Sequence, residues 1–324
     1  MRELTYNEAA VEAIAEEMRR DPRVFYMATD ALAPLLKEFG PERVRATPIA
    51  EAALTGMAIG AAGSGYRPIV DWRQVTFCFV AMDQIVNQAA KIHYMFGGQV
   101  AFPILYRAAV GGGGQVAAQH SQSPYSMFMN VAGLKMFLPS TPGDMKGLLK
   151  SAIRDNSPVI SFESSRLNAT KGPVPEEDYT IPLGRADVKR EGKDVTVVAL
   201  AWLVHEALAA AEELDREGVS IEIVDPRTLV PLDSETIRRS VQKTGRLLIA
   251  DEAGPTAGFS AEIAAVVSED PASFARLQAP VKRVCALQVP IPYSPVLENH
   301  VFPDRRRIIA GVRDVLDAKR PAAA

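Results

Sequence analysis

The sequence predicts an α/β protein built from two doubly wound, mostly parallel sheets. Short and nearly continuous apolar runs alternate with amphipathic runs of helical period, which is the pattern of strands buried on both faces between covering helices. The alternation stops over residues 165–193, where prolines and charges cluster, and then resumes. We therefore expect a first domain over residues 1–180, a second over residues 181–324, and a surface linker around their boundary.

The first domain is expected to open with an amphipathic helix, Tyr6–Arg20, whose apolar residues face inward and whose charges face outward. A long helix over Val80–Tyr94 carries a polar stripe opposite an apolar face, and Pro142–Asn156 is a helix with a charged outer face. Glycines end several of these helices. The other predicted elements are a helix at Pro34–Phe39 and strands at Val24–Met27, Arg67–Trp72, Phe102–Arg107, Leu134–Leu138 and Pro158–Phe162.

The second domain repeats this alternation with fewer strands. Its predicted strands are Val195–Leu200, Ser220–Val224, Leu247–Ala250 and Val281–Ala286, and its helices are Val204–Arg216, Asp233–Gln242, Phe259–Val267 and Arg305–Asp317. The small, apolar tail Pro321–Ala324 is expected to be disordered.

The composition indicates an ordinary globular protein, with 48% hydrophobic and 23% charged residues. A net charge of −3 without a dense Lys/Arg run argues against a nucleic-acid partner, and no apolar run is long enough to span a membrane. Cys78 and Cys285 lie in apolar surroundings and fit reduced, packed thiols. With no signal peptide at the start of the sequence, we expect a cytoplasmic protein.

One predicted helix, over residues 48–60, has almost no polar side. Thr47 suits its N-cap and Pro48 its first position, so we expect the helix to be buried all round. Its one ionisable residue is Glu51. The ordinary interpretation is a first-turn carboxylate favoured by the helix dipole, worth about 0.3–1 kcal/mol. The alternative is a functional acid, because burying a lone carboxylate is costly without a partner.

A second region of interest runs from Gly111 to Pro124. The four glycines Gly111–Gly114 could cradle a phosphate, but they do not form a known phosphate-binding motif, and close packing is the stronger interpretation. His120 follows a strand end, where ligands gather in doubly wound sheets, and it is either a proton carrier or a surface histidine. His93 and His205 are expected to be packing residues. The sequence contains no zinc motif and no nucleophile elbow.

Several motifs together resemble one family, the β subunit of the thiamine-diphosphate-dependent decarboxylating component of 2-oxo acid dehydrogenase complexes. Such subunits serve pyruvate, branched-chain 2-oxo acid or acetoin dehydrogenases. The resemblance implies a transketolase-like pyrimidine-binding domain followed by a transketolase C-terminal domain. The residues that carry it are 42–44, 47–52, 83–91, 116–123, 139–142, 152–155 and 227–233.

The resemblance also implies roles for individual residues. Glu51 matches the glutamate that gives a proton or hydrogen bond to a ring nitrogen of the cofactor's aminopyrimidine, which promotes deprotonation of the thiazolium carbon; burial would keep its proton available. Ile49, Phe77 and Arg73 lie where the family contacts the pyrimidine. His120 matches the histidine that assists acyl transfer to lipoamide. A potassium site is implied at Ile104, Ala152, Ile153, Asp155 and Ser157.

The chain lacks the Gly-Asp-Gly and Asn motif that holds magnesium and diphosphate, which in the family lies on an α subunit. The resemblance therefore implies an α2β2 heterotetramer, or a β–β dimer of the subunit alone, that works with a lipoyl-bearing acyltransferase component. Three departures from the family are visible: a shortened loop after Asp30, Arg73 in place of a common glutamine, and Tyr125 in place of a common acid. Arg73 could instead meet a carboxylate or phosphate of an unusual substrate.

Three other functions stay open at this point. A split transketolase-type carboligase would need basic phosphate-binding residues near the site and would act without lipoamide. A degenerate scaffolding subunit would explain the shortened loop, but not Glu51 and His120. A nicotinamide dehydrogenase is disfavoured because the dinucleotide fingerprint is absent.

Overall fold

The computed structural model describes residues 2–318, so the predicted disorder of Pro321–Ala324 lies outside the described residues. Within this range the chain forms two compact units. Unit 1 comprises residues 2–110, 127–183 and 229–231, and unit 2 comprises residues 111–126, 184–228 and 232–318. Both units have mostly parallel sheets accompanied by helices, which confirms the predicted fold class.

Unit 1 contains a seven-stranded sheet and a two-stranded ribbon. Its strands are β1 (Arg2–Thr5), β2 (Val24–Ala28), β3 (Val44–Ala46), β4 (Arg67–Gln74), β5 (Leu105–Val110), β6 (Lys135–Phe137), β7 (Val159–Ser164), β8 (Lys171–Val174) and the end of β12 (Thr228–Val230). The sheet order is β12-β6-β7-β5-β4-β2-β3, and the pairings from β6 to β3 are parallel. Parallel pairing brings the carboxyl ends of these strands to one edge, where ligands bind in doubly wound folds.

The helices of unit 1 begin with local signals that the sequence carries. Helix α1 opens with a capping box, in which the Glu8 backbone N–H donates to the Thr5 hydroxyl and the Thr5 N–H donates to the Glu8 carboxylate. Thr141 caps α7, and Pro142 is its first residue. The helices are α1 (Tyr6–Arg20), α2 (Ala33–Phe39), α3 (Glu51–Gly63), α4 (Ile92–Met95) and α7 (Pro142–Arg154), while α6 (Tyr125–Met129) contains the boundary between the units.

The charged face of α7 packs inward, so its predicted outer position is wrong. Lys146 is fully buried, and its ammonium group lies 2.7 Å from Glu12 and 2.8 Å from Glu16 on α1. Glu17, expected to face outward, is also buried and pairs with Arg154 at 2.6 Å. These charges can be buried because each has an opposite charge beside it.

Helix α3 starts later and is less buried than predicted. It begins at Glu51, and its N-cap residue is Ala50, which offers no side-chain cap. Thr47 does not cap it, since the Thr47 hydroxyl and backbone N–H both donate to the Ala28 carbonyl instead. One face of α3 is exposed, with Met57 at 52% of its surface. The expectation of burial all round is therefore wrong, because nothing within residues 2–318 covers that face.

The long helix predicted over Val80–Tyr94 is broken into shorter segments. A 3₁₀ segment covers Val75–Ala81, a π-helical turn covers Gln84–Ala89, and α4 follows. The Ala90 N–H donates to the Ile85 carbonyl, five residues earlier, which defines the π turn. The sequence periodicity identifies the buried side, including Ile85 and Ala89, but it does not reveal the change of helical pitch.

Unit 2 contains a five-stranded sheet with helices. Its strands are β9 (Asp187–Arg190), β10 (Val195–Ala199), β11 (Ile221–Asp225), β13 (Leu247–Asp251) and β14 (Lys282–Cys285). Their order is β14-β13-β10-β11-β9, with only the edge strand β9 antiparallel. The helices are α5 (Ala117–His120), α8 (Trp202–Asp215), α9 (Ser234–Thr244), α10 (Phe259–Ser268), α11 (Pro271–Arg276), α12 (Pro295–Val301) and α13 (Arg305–Asp317).

The predicted linker over residues 165–193 is more ordered than expected. Strand β8 within it pairs with β1, and β9 pairs with β11. Both pairings are antiparallel and join residues far apart in the chain, so the local sequence periodicity does not predict them.

No helix among residues 2–318 is long and apolar enough to cross a bilayer. Cys78 and Cys285 are free and buried, as predicted, and burial raises the pKa of the Cys78 thiol to about 12. Both cysteines therefore act as packing residues.

Candidate active site

Glu51 is the first residue of α3 and lies in unit 1. Its side chain is half-buried and makes no hydrogen bond to the described residues. The first turn of a helix offers unpaired backbone N–H groups and a positive dipole end, which favour an acidic residue there. The position of Glu51 is thus compatible with a carboxylate that only stabilises the helix. Whether Glu51 is instead a functional acid depends on the residues around it.

Two apolar side chains of unit 1 that the sequence assigns to the site are exposed to solvent. Ile49 is 83% exposed and Phe77, on the segment that follows β4, is 37% exposed. At the end of β4 and at the start of this segment, the buried Gln74 Oε1 and Thr76 Oγ1 have no hydrogen-bond partner among the described residues. Buried polar atoms normally have partners, so these atoms suit a ligand or a partner chain. Gln74 Oε1 can accept a hydrogen bond and Thr76 Oγ1 can donate or accept one, so polar atoms and exposed apolar side chains occur together in this part of unit 1.

Arg73 stands at the end of β4 in a left-handed backbone conformation, with φ at 65°. Its backbone N–H donates to Asp71 Oδ1 at 2.8 Å, and its guanidinium lies 3.4 Å from Asp30 and 3.9 Å from Asp71. In this structure the carboxylates that Arg73 meets belong to the chain itself. Its predicted contact with the cofactor stays a prediction.

Behind Arg73 lies a buried charge network that the sequence analysis missed. Arg107 donates to both carboxylate oxygens of Glu163 at 2.8 Å each, and it lies 3.4 Å from Asp71. Tyr26 donates to the same Asp71 carboxylate at 2.8 Å. The sequence offers one sign of this network, a charged residue within each of two apolar strands, Asp71 and Arg107. Only the parallel pairing of β4, β5 and β7 brings Asp71, Arg107 and Glu163 together.

His120 ends the short helix α5 and belongs to unit 2. It is half-buried, and its Nδ1 lies 3.3 Å from the carbonyl oxygen of Val116. A carbonyl oxygen only accepts, so this contact assigns the proton of a neutral ring to Nδ1 and acceptor character to Nε2. The predicted site residues therefore divide between the units: Glu51, Ile49, Phe77 and Arg73 in unit 1, and His120 in unit 2.

The glycine loop is a close-packed element of unit 2, not a phosphate cradle. A Cβ atom at Gly112 would lie 2.1 Å from Cε2 of Phe302, and one at Gly111 would lie 2.3 Å from Oε2 of Glu252. The Gly113 N–H donates to Glu298 Oε1 at 3.0 Å. Two carboxylates beside the loop would repel a phosphate, so the packing interpretation is the one this geometry favours.

The residues implied for potassium lie around the end of α7 and the start of β7. The Ile153 and Asp155 carbonyl oxygens accept hydrogen bonds from the Arg67 guanidinium at 2.8 and 2.6 Å, and the Asp155 carboxylate lies 2.6 Å from Lys135. The carbonyl oxygens of Ile153 and Asp155 each keep a second lone pair that could bind a cation. A monovalent cation bound there would lie beside the positive charges of Arg67 and Lys135. No cluster of His, Cys, Asp and Glu suited to a metal occurs among residues 2–318. The implied set is Ile104, Ala152, Ile153, Asp155 and Ser157.

Comparison with known proteins defines the class. Residues 2–170 match the family described as the transketolase pyrimidine binding domain, and residues 184–308 match the transketolase C-terminal domain. A solved structure described as a split gene transketolase, inactive beta4 tetramer, aligns with a TM-score of 0.81 at 26% identity, covering 98% of this chain and 99% of that one. The chain is thus a two-domain protein of the transketolase class.

Curated relatives narrow the class. An acetoin:2,6-dichlorophenolindophenol oxidoreductase subunit beta of Bacillus subtilis (strain 168) is 47% identical, over 87% of this chain and 82% of the relative. The 2-oxoisovalerate dehydrogenase subunit beta of the same organism is 42% identical over 97% and 99%. The pyruvate dehydrogenase E1 component subunit beta-1, mitochondrial, of Arabidopsis thaliana is 42% identical over 95% and 88%. This chain belongs to the family of thiamine-diphosphate-dependent 2-oxo acid and acetoin dehydrogenase β subunits, which confirms the resemblance.

Proposed function

We propose that this chain, joined to an α subunit, cleaves a 2-oxo acid or acetoin and passes the acyl group to a lipoyl-bearing acyltransferase component. The observation that carries the proposal is the arrangement around Glu51. Glu51, a half-buried carboxylic acid, opens α3 two residues after exposed Ile49, and α3 packs against the 3₁₀ segment Val75–Ala81 that carries the partly exposed Phe77. The buried polar atoms of Gln74 and Thr76 lack partners among the described residues. All five residues lie within the region that matches the pyrimidine-binding family.

In this proposal, Glu51 holds a proton at a ring nitrogen of the pyrimidine, while Ile49 and Phe77 enclose the faces of that ring. Arg73 borders the same ring. Thiamine diphosphate supplies, when bound, the electron sink for cleavage next to a carbonyl group. Side chains from the chain itself thus orient the cofactor and move one proton, and they exclude water from one side of the ring.

His120 has a separate role in the proposal. Its Nε2, the acceptor of the neutral ring, takes and returns a proton during transfer of the acyl group to the dithiolane of a lipoyl group. This step comes after cleavage, so an artificial electron acceptor bypasses it.

The α subunit would complete the site. The sequence lacks the Gly-Asp-Gly motif expected to hold magnesium and the diphosphate, so we propose that both are held mainly by the partner. The uncovered face of α3, with Met57 52% exposed, supports an assembly in which a partner chain covers it, either as an α2β2 heterotetramer or as a β–β dimer of the subunit alone.

Two further details stay proposals. Potassium bound beside Arg67 would be held by backbone carbonyls, and it would raise the melting temperature with potassium chloride more than with sodium chloride at equal ionic strength. A cytoplasmic location is supported by two buried free thiols, which suit a reducing compartment.

The test of the proposed function is Glu51→Gln in the reconstituted complex with the α subunit. Turnover of pyruvate, 2-oxoisovalerate and acetoin is measured with 2,6-dichlorophenolindophenol as the acceptor. We expect the variant to lose at least about a hundredfold in kcat, because the proton at the ring nitrogen can no longer move. Assembly, followed by size-exclusion chromatography, should be unchanged.

A matched control is Glu235→Gln. Glu235 is also in the first turn of a helix, α9 in unit 2, so the exchange removes the same type of dipole interaction away from the site. It should leave kcat unchanged. Equal activity of the two variants would remove Glu51 from the reaction. Turnover only without lipoamide, with sugar phosphates as substrates, would indicate a carboligase instead.

A further inference from the structure

The segment that carries His120, residues 111–126, belongs to unit 2 although β5 before it and β6 after it lie in the sheet of unit 1. We propose that unit 2 positions His120 for acyl transfer by holding both ends of this segment, and that Tyr125 and Asp251 form the hydrogen-bonded anchor at its C-terminal end. This inference rests on the proposed function, because it assigns a positioning device to the same reaction.

The C-terminal anchor is a buried, hydrogen-bonded pair of side chains. Tyr125 is 1% exposed, and its hydroxyl donates to Asp251 Oδ1. Asp251, fully buried at the end of β13, also accepts hydrogen bonds from the backbone N–H groups of Ala253 at 2.9 Å and Ser260 at 3.2 Å. Because the backbone fixes both carboxylate oxygens, Asp251 offers Tyr125 one defined position, five residues after His120.

The N-terminal end is held by contacts of a different kind. A Cβ atom at Gly112 would overlap the Phe302 ring, and Gly111 has a positive φ of 80° and lies against the Glu252 carboxylate. The next residue, Gly113, donates its N–H to the buried carboxylate of Glu298. The segment is therefore fixed at residues 111–113 and again at residue 125.

Between the two anchors, the first part of the segment is exposed. Residues 113–116 are exposed, and Gln115 and Ala117 have positive φ angles of 52° and 62°. A cavity of about 490 Å³ in unit 2 is lined by Ser121 and Ser123 on one side and by Phe302 on another. The buried hydroxyl of Ser121 has no partner among the described residues. The Gly111 N–H also donates to the Gln122 carbonyl at 3.1 Å, so the N-terminal end of the segment is tied to a residue two positions after His120. The position of His120 therefore follows from how unit 2 holds both ends of the segment.

Loss of the Tyr125 anchor should consequently affect one step. Cleavage depends on residues of unit 1, whereas acyl transfer depends on His120, whose displacement by as little as about 1 Å reduces a rate by up to about a hundredfold. Tyr125 is a positioning residue, since it acts through the segment and not on the substrate.

The experiment compares Tyr125→Phe with Tyr6→Phe in the assembled complex. Tyr6 is equally buried, and its hydroxyl donates a hydrogen bond to the Pro139 carbonyl at 3.0 Å within unit 1, so both variants remove a buried hydroxyl that donates a hydrogen bond. We expect Tyr125→Phe to lower the rate of reductive acetylation or acylation of a lipoyl domain roughly tenfold or more, with the dye-linked rate within about twofold of wild type. Tyr6→Phe should change neither rate.

Hydrogen–deuterium exchange supplies a readout that does not depend on activity. Amides of residues 114–122 should exchange faster in Tyr125→Phe and at the wild-type rate in Tyr6→Phe. Equal exchange and an equal ratio of the two rates in both variants would overturn the inference. A wild-type complex without any thiamine-dependent dye reduction would instead overturn the proposed function, while faster exchange in Tyr125→Phe would still support the anchor.

Discussion

The indole Nε1–H of Trp72 donates a hydrogen bond of 3.0 Å to the hydroxyl of Thr55. Both groups are buried, and Thr55 lies one helical turn after Glu51 on α3. Trp72 is also stacked on Tyr106, with ring centroids 4.7 Å apart and an angle of 11° between the planes. One side chain of β4 thus joins the helix that begins at Glu51 to the centre of the unit 1 sheet.

Thr55→Val is expected to destabilise the chain by about 1–3 kcal/mol, because the shape is kept while the buried Trp72 N–H loses its acceptor. The free energy of unfolding in urea measures the effect. Thr55→Ser restores the hydroxyl and should recover most of the loss. A valine variant as stable as wild type would mean that the hydrogen bond contributes nothing.

Glu163→Gln should destabilise unit 1 by about 3 kcal/mol, because it leaves the buried Arg107 guanidinium without its bidentate carboxylate. Glu42→Gln is the comparison, since Glu42 is 91% exposed and lies 3.8 Å from Arg45; it should cost less than about 1 kcal/mol. Thermal unfolding of both variants provides the measurement, and similar melting temperatures would argue against an energetic role of the network.

Gly112→Ala should be destabilising by roughly 1–3 kcal/mol, because the new methyl group would overlap the Phe302 ring. Gly114→Ala is the matched control. Its Cβ would have Val116 Cγ1 at 3.6 Å, an ordinary contact, so its stability should be near that of wild type. A second exchange, Phe302→Leu, should recover part of the loss in the Gly112→Ala background. The prediction is wrong if both glycine variants unfold at the same urea concentration.

Asp251 should make the free energy of unfolding decrease as the pH rises, which is opposite to the effect of a carboxyl whose pKa is lowered by folding. Burial raises the pKa of this carboxyl from 3.8 to about 6, although hydrogen bonds from Tyr125 and two backbone N–H groups oppose the shift. Between these pH values the folded chain binds more protons than the unfolded chain, so this group's contribution to stability falls as the pH rises from about 4 to about 6.

Asp251→Asn removes this titration. The stability of the variant relative to wild type should therefore increase over that pH range, by on the order of 3 kcal/mol. Urea unfolding of both proteins at a series of pH values tests the prediction. A difference between the two proteins that is constant with pH would contradict it.

The elements that the sequence predicted well are those with strong local signals. Helices Tyr6–Arg20 and Arg305–Asp317 are observed with the predicted bounds, since each has a long amphipathic period and a capping residue at its start. Short elements without such a period escaped prediction, among them β12 and α12. The π turn at Gln84–Ala89 was missed because its apolar pattern is that of an ordinary helix.

The amino-acid sequence by itself determined the two α/β blocks, the family and the identity of Glu51 and His120 as candidate residues. These follow from periodicity and from short motifs, which are properties of neighbouring residues in the chain. Only the tertiary structure decided that the segment carrying His120 belongs to unit 2, that Arg107 joins Asp71 to Glu163, and that one face of α3 is uncovered. Strand pairing and packing join residues far apart in sequence, and no local pattern encodes which of them will meet.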